Sequence, residues 1–388
     1  MASSSKPKRK RHRSNSEDDP LWTNRSDGDY YSAPSDKQKK LTALSSYIPR
    51  ETSDWTMSEL ENLQINWNWI DPSSTKNIDE FFDMFPNINA DLPPLDADLI
   101  KMMDYLNANL TFDTSVKELE QENYVKVREY LVENFLPKVD ADSDEELMKT
   151  VGSSSRVLIY HTVAGRHDFQ NDLKEILYDL LLTSRTVEEM RFTTMLEKFC
   201  RMCNLKGSIG LVEETMIKDV RVVAVPDLTF RISSNEFWPD VTDVIQIQIM
   251  TVAEIKVSTN DSLVDQKIHV TRQKPEAIDK ETLQTMDPSK IRGFSQHVGQ
   301  LIIGLGNSCF KKECLGLLLH ETKILITCLS TSPRYCTHIK DKLGPEDKAT
   351  LHFIGPYDIL KARERSQLIK AFLRLGNRQR LGIGIPKV

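Results

Sequence analysis

The chain contains no apolar run near the roughly 20 residues that a membrane-spanning helix needs. Its first residues, "MASSSKPKRKRHRSNSEDD", are basic and polar and lack the apolar stretch of a secretory signal. Cysteine is sparse, six in 388 residues. Without a secretion signal, that number suggests a reducing compartment and free thiols rather than a disulfide framework. Cys200 and Cys203 have CxxC spacing, but no second CxxC follows, and Cys309, Cys314, Cys328 and Cys336 are scattered. A zinc or iron–sulfur centre needs about four convergent ligands, so buried thiols are the simpler expectation. A phosphate-cradling Gly-rich loop and a GxSxG nucleophile elbow are both missing. "GLGNS" and "GIGIP" read as a helix C-terminus and a tail, and no repeat of fixed period is present.

What is there is ordinary globular material, 39% hydrophobic and 28% charged. The net charge of −6 conceals an uneven distribution. Residues 1–50 carry 11 Lys/Arg against 6 Asp/Glu, residues 51–150 carry 7 against 23, and residues 151–388 carry 33 against 28. The mildly basic C-terminal body permits a phosphate-bearing partner. Residues 1–50 are polar and expected to be disordered, and "KPKRKRHR" reads as a nuclear localisation run, a nucleic-acid tether or a solubilising tail. Residues 51–114 mix acidic and aromatic side chains. Trp67 or Trp69 with Phe81, Phe82 and Phe85 suggests a partner-binding stretch or a small helical cap, the cap being slightly preferred. Residues 115–136 suit a helix, and Pro137 with "DADSDEE" marks a linker.

From residue 151 onward the pattern is α/β. "RVLIYHTV" predicts a strand; "HDFQNDLKEILYDLLLTS" and "TVEEMRFTTMLEKFCRMCN" predict helices. Thr186 and Glu189 have capping-box spacing at the start of the second. Three strand-like runs follow: "SIGLVEETMI", "VRVVAVPDLTFRI" and "VIQIQIMTVAEIKV". Next come a helix in "DPSKIRGFSQHVGQLIIGLGNS", a strand in "CLGLLLHETKILITCL" and a basic amphipathic helix in "PYDILKARERSQLIKAFLRLGN". The order predicts one mixed sheet flanked by helices.

Two of these runs carry chemistry. Strand side chains alternate between faces. In residues 244–257 the odd positions, from Ile245 to Val257, form a continuous and largely apolar face, while Gln246, Gln248, Glu254 and Lys256 share the other. Leu228, Phe230 and Ile232 oppose Asp227, Thr229 and Arg231 in the same way. A hairpin that joins the apolar faces puts Asp227 on the face of Glu254 and Lys256, with a bulge where the register requires one. Two carboxylates suit Mg²⁺ or Mn²⁺, which bind hard oxygens and keep several waters. Such an ion polarises a phosphodiester and acidifies water, and a lysine beside it stabilises developing charge on the phosphate. The bland alternative is an edge ion pair of little energetic weight.

"VPDLTF" followed by "VAEIKV" resembles the signature of the PD-(D/E)xK nuclease superfamily, with Pro226-Asp227 and Glu254-Ile255-Lys256 in the signature positions. The likeness spans roughly residues 169–330 and implies a restriction-endonuclease-like fold. It implies that Asp227, Glu254 and the main-chain carbonyl of Ile255 hold the metal and that Lys256 assists the nucleophile. In the recombination-exonuclease branch a Gln lies on the following helix, where "SQHVGQL" offers Gln296, with Gln300 one turn on. A Glu on the first core helix is also common in the superfamily; Glu197 is a candidate, and Glu189 reads better as a cap. Some RNA endonucleases of the superfamily place a His before that helix, where His161 and His167 fit only loosely.

Rival matches to the motif are Pro239-Asp240, Asp265-Gln266-Lys267, Glu321-Thr322-Lys323 and Glu346-Asp347-Lys348. Arg363, Arg365, Lys370, Arg374, Arg378 and Arg380 on or beyond the last helix suit phosphate contacts or a solvated face equally. The expected activity is metal-dependent hydrolysis of nucleic acid, DNA before RNA. The alternative is an inactive module of the same fold that binds nucleic acid or a protein through the acidic N-terminal region.

Overall fold

The computed structural model describes residues 48–70, 77–135, 141–150, 156–183, 186–232, 248–256 and 293–382. The polar tail before residue 48 with its basic run, and the rival acids Asp240 and Asp265, lie outside the described residues. From Tyr47 on, the chain is one compact unit.

Seven strands form a mixed sheet in the order β1 (Ile65–Trp69), β9 (Ala349–Asp358), β8 (Lys323–Thr331), β7 (Glu313–His320), β6 (Gln248–Lys256), β5 (Leu228–Ile232) and β2 (Gly207–Ile209). Only β1 with β9 and β6 with β7 run parallel; the other neighbours are antiparallel. The parallel step from β6 to β7 is bridged by helix α10 (Phe294–Leu305), which lies on one face of the sheet. On that face too are α1 (Met57–Asn62), the separate hairpin β3 (Glu213–Ile217)–β4 (Val220–Ala224) and the short α11 (Tyr335–His338). The opposite face carries the larger core. It is built from α2 (Ile78–Asp83), α3 (Pro86–Asp91), α4 (Ala97–Asn109), α5 (Val116–Glu120), α6 (Tyr124–Phe135), α7 (Ala141–Thr150), α8 (Arg156–Tyr178), α9 (Glu189–Met202) and α12 (Ala362–Leu381).

Residues 51–150 are part of this architecture. They supply edge strand β1, and Phe81, Phe82 and Phe85 are buried in the chain's own core rather than presented to a partner. Of the expected linker, Pro137 and Asp140 lie outside the described residues, and residues 141–146 open helix α7. "RVLIYHTV" is likewise helical, the first two turns of α8. Ile159, Thr162, Arg166, Phe169, Leu173 and Leu177 are all buried, at steps of three and four, while Val157 and Tyr160 face solvent. That is a helical stripe, and an eight-residue run with five apolar positions does not reveal it alone. "PYD" closes strand β9, and the last helix begins only at Ala362. The "HETK" region is a tight turn joining two strands, β7 and β8, with Glu321 at φ 55°.

Candidate active site

The pairing of β5 with β6 sets the geometry. Leu228 lies opposite Ala253 and Phe230 opposite Thr251, but Arg231 lies opposite Ile249, so Met250 is the extra residue of a bulge. One residue beyond the Leu228–Ala253 pair, Asp227 stands level with Glu254. The bulge also breaks the continuous odd-numbered face. Met250, Ala253 and Ile255 enter the larger core, whereas Ile249 and Val252 pack on the α10 side. The sequence expectation of an unbroken odd face fails because alternation changes phase at a bulge.

Asp227 is fixed by the backbone of the neighbouring strand: the Ile255 N–H donates to its Oδ2 at 2.7 Å. Ile255 itself turns its side chain into the core. Glu254 is 1% exposed. Its Oε2 accepts a hydrogen bond from Gln300 Nε2, and its Oε1 pairs with Lys256 Nζ at 2.5 Å. The Gln300 Oε1 atom is buried with no hydrogen-bond partner among the described residues. Lys256 lies under the start of α10. Gly293 adopts φ 76° there, and a Cβ in its place would come within 2.6 Å of Lys256 Cε, so only glycine satisfies both the turn and the lysine.

The glutamine that meets Glu254 is therefore Gln300. Gln296, the preferred candidate from sequence, is half-buried one turn earlier with no hydrogen bond among the described residues. The acid contributed by a helix is Glu189, whose Oε1 lies 3.7 Å from Lys256 Nζ. It is no cap: the residue before α9 is Glu188, which makes no side-chain capping bond, so the Thr186/Glu189 capping box is absent. Glu197 sits instead among Arg201, Lys198, Asp168 and Asp172. His161 and His167 lie within α8, the helix before α9, and His167 faces Arg166 and Asp144. Of the other rivals, Glu321 occupies the β7–β8 turn, and Asp347 is held by His338 and by the Gly344 N–H. Cys200, Cys203, Cys309, Cys314 and Cys328 are buried free thiols, their pKa values pushed up by burial.

Most of the basic residues of α12 are engaged within the protein. Lys370 and Arg374 pair with Asp79, and Arg378 lies 3.5 Å from Asp91. Arg365 donates to the carbonyls of Ile359, Leu360, Leu110 and Phe112. Arg363 is exposed. Through Asp79 and Asp91 the helix clamps α2 and α3.

Burial, and then the charge of Asp227, raise the Glu254 pKa from 4.5 to about 7 against the opposing pull of Lys256 and Gln300. Burial also raises that of Asp227. Burial works against the charge on Lys256, but Glu254, Glu189 and Asp227 outweigh it and the lysine pKa rises. The cluster thus has more negative charge than one ammonium balances. Among the described residues no three of His, Cys, Asp and Glu form a ready-made metal cage. A hard divalent ion that keeps its waters needs fewer protein ligands than that, and the adjacent carboxylates of Asp227 and Glu254 are of the oxygen type it takes.

The Glu254 shift has a consequence for stability. The folded state holds this proton more tightly than the unfolded chain, so stability falls as pH rises from about 4.5 to about 7. Glu254→Gln removes the titration and keeps a partner for Gln300. Its Tm is expected to exceed that of the parent at pH 8 and to match it at pH 4.5. Thermal unfolding at the two pH values checks this, and equal Tm values at pH 8 would contradict it.

No protein-family model and no curated protein matches this chain.

Proposed function

We propose that this protein is a metal-dependent nuclease that hydrolyses phosphodiester bonds of nucleic acid, DNA in the first instance, using Mg²⁺ or Mn²⁺. The carrying observation is that Asp227 stands level with Glu254 across two adjacent strands, beside Lys256 and beneath Gln300 of the crossover helix. The order of the surrounding elements supports a restriction-endonuclease-like core. Helix α9, the antiparallel strands β2, β5 and β6, helix α10 and the parallel strand β7 follow one another, with the β3–β4 hairpin inserted after β2.

In this reading Asp227, Glu254 and the Ile255 carbonyl hold the ion, which acts as a Lewis acid on the phosphate. Gln300 fixes one oxygen of Glu254 so that the other is available. Lys256, fully protonated at neutral pH by its carboxylate neighbours, stabilises charge developing on the phosphate oxygens. Glu189 holds the ammonium from the solvent side. The basic run at residues 6–13 suits a nuclear address.

A second reading has an observation of its own. Glu254 is almost inaccessible and already neutralised by Lys256, as in a structural ion pair of an inactive module that binds nucleic acid or protein. Cleavage of labelled single- and double-stranded DNA with Mg²⁺ or Mn²⁺ separates the two. The parent is expected to cleave, and Asp227→Asn to lose at least about 100-fold in rate with its Tm preserved. An inert parent that binds nucleic acid without metal would establish the module instead.

A further inference from the structure

We infer that residues 48–56, which lie outside the stretch that carries the motif, are a strap that sets how α10 rests on the sheet and so holds Gln300 against Glu254. The inference rests on the nuclease reading and names residues that position its site from a distance.

The strap is rigid by its own sequence. Thr52–Asp54 form one 3-10 turn, and in such a turn residues three apart line up. Thr52 and Trp55 accordingly turn inward together, 2% and 4% exposed, while Ser53 and Asp54 face solvent. Both ends are tied. The Val223 N–H of β4 donates to the Arg50 carbonyl at 2.7 Å, and Trp55 Nε1 donates to the Pro49 carbonyl at 3.2 Å. Thr56 starts α1 in a capping box with Glu59. Ser295, in the first turn of α10, donates from Oγ to the Trp55 carbonyl at 2.8 Å.

Where strap and helix cross, α10 has Gly299. Glycine inside a helix destabilises it relative to alanine, and the crossing supplies the reason for it. A Cβ on Gly299 would come within 2.9 Å of both Thr52 Cγ2 and Trp55 Cε3. Gly304, on the sheet side, is different: a Cβ there would meet Cys314 Sγ at 3.5 Å and Ile249 at 3.7 Å, which is ordinary contact. The strap is therefore the tighter of the two walls. Gln300 follows Gly299, about 100° around the helix, and reaches Glu254; Gly293 at the helix start packs on the Lys256 alkyl chain. Both contacts of α10 with the site depend on where the strap lets the helix lie. An added Cβ regains ordinary carbon–carbon separation only if the helix moves by roughly half an ångström, and a catalytic constellation has to be held within about that distance.

The test measures cleavage of labelled DNA by the full chain, with Mg²⁺ titrated for each variant. Gly299→Ala is expected to lower kcat about tenfold and to raise the half-saturating Mg²⁺ severalfold, with KM within about twofold. Adding Thr52→Ala removes the Cγ2 atom from the crossing and is expected to recover at least about threefold of that loss. A strap that only stabilises the fold predicts no recovery, since each substitution then merely lowers Tm. Ser295→Ala adds no volume to the crossing. It is expected to fold and to lose about threefold in kcat through the missing tie to Trp55. In a parent that cleaves, a parental kcat and Mg²⁺ requirement in Ser295→Ala overturns the strap and leaves the nuclease reading standing, whether or not Gly299→Ala folds. A Gly299→Ala loss that Thr52→Ala leaves unrelieved does the same. A parent that does not cleave removes both.

Discussion

Lys256→Met is expected to lower cleavage by at least about 100-fold, the usual cost of removing one donor aimed at developing charge. Methionine is chosen because it keeps an unbranched stem against Gly293, where the alkyl part of the lysine is packed. The loss is then one of charge rather than of volume. Its effect on stability should depend on pH in a defined sense. At pH 8 the parent has Glu254 ionised, and the ammonium 2.5 Å away offsets its burial. Without that ammonium only the Gln300 donor opposes burial and the charge of Asp227, so the Glu254 pKa climbs further and the fold must take up a proton or carry a poorly compensated charge. At pH 5 Glu254 is already protonated in the folded parent, and much of the partnership is gone. The variant should therefore lose Tm at pH 8 and little at pH 5. Retention of full cleavage would end the nuclease reading. A Tm loss equal at both pH values would show that the lysine acts by packing alone.

How much of this was legible in advance depends on the range of the interaction. Asp227, Glu254 and Lys256 were accessible because a strand states its facing with a period of two, and both strands alternate cleanly just where these residues lie. The bulge at Met250 was expected only as a possibility of register, and its effect on the apolar face was invisible, since one extra residue leaves no mark on composition. Gln300 and Gln296 share one face of α10 at a spacing of four, and only the docking of that helix on β6 selects between them. Glu189 was missed for a different reason. Thr186 and Glu189 have the spacing of a local capping motif, and a local explanation satisfied the pattern, whereas the helix actually starts later and aims the carboxylate at Lys256. β1 and β9 escaped notice because β1 is a short, Trp- and Asn-rich edge strand and β9 runs without a break into "PYDIL". The arginines of α12 show this limit most plainly. A sequence shows that a helix is basic, but not whether its charges meet phosphates, water or the carbonyl ends of other helices.

The sharpest consequence of that last point lies at Arg365. Its side chain is 2% exposed, with the guanidinium 3.9 Å from the Phe112 ring centroid. Nη1 donates to the carbonyls of Ile359 and Leu360, and Nη2 to those of Leu110 and Phe112. One planar group thereby ties the end of α4 to the turn that leads into α12. Burial lowers its pKa to about 10, so it remains charged at pH 8. Arg365→Ala strands the carbonyls of Ile359, Leu110 and Phe112, Leu360 keeping the Thr114 N–H, and opens a void beside Phe112. The expected cost is about 3–5 kcal/mol, roughly a 5–10 °C loss in Tm. Arg365→Lys should recover less than half of it, because a point ammonium cannot span two pairs of acceptors. Arg363→Ala, at an exposed position on the same helix, should stay within about 0.5 kcal/mol. If the arginines instead served phosphate contacts, Arg365→Ala would leave Tm near that of the parent and flatten the salt dependence of nucleic-acid binding. Thermal unfolding alongside a salt titration distinguishes a clamp inside the protein from a surface that meets its substrate.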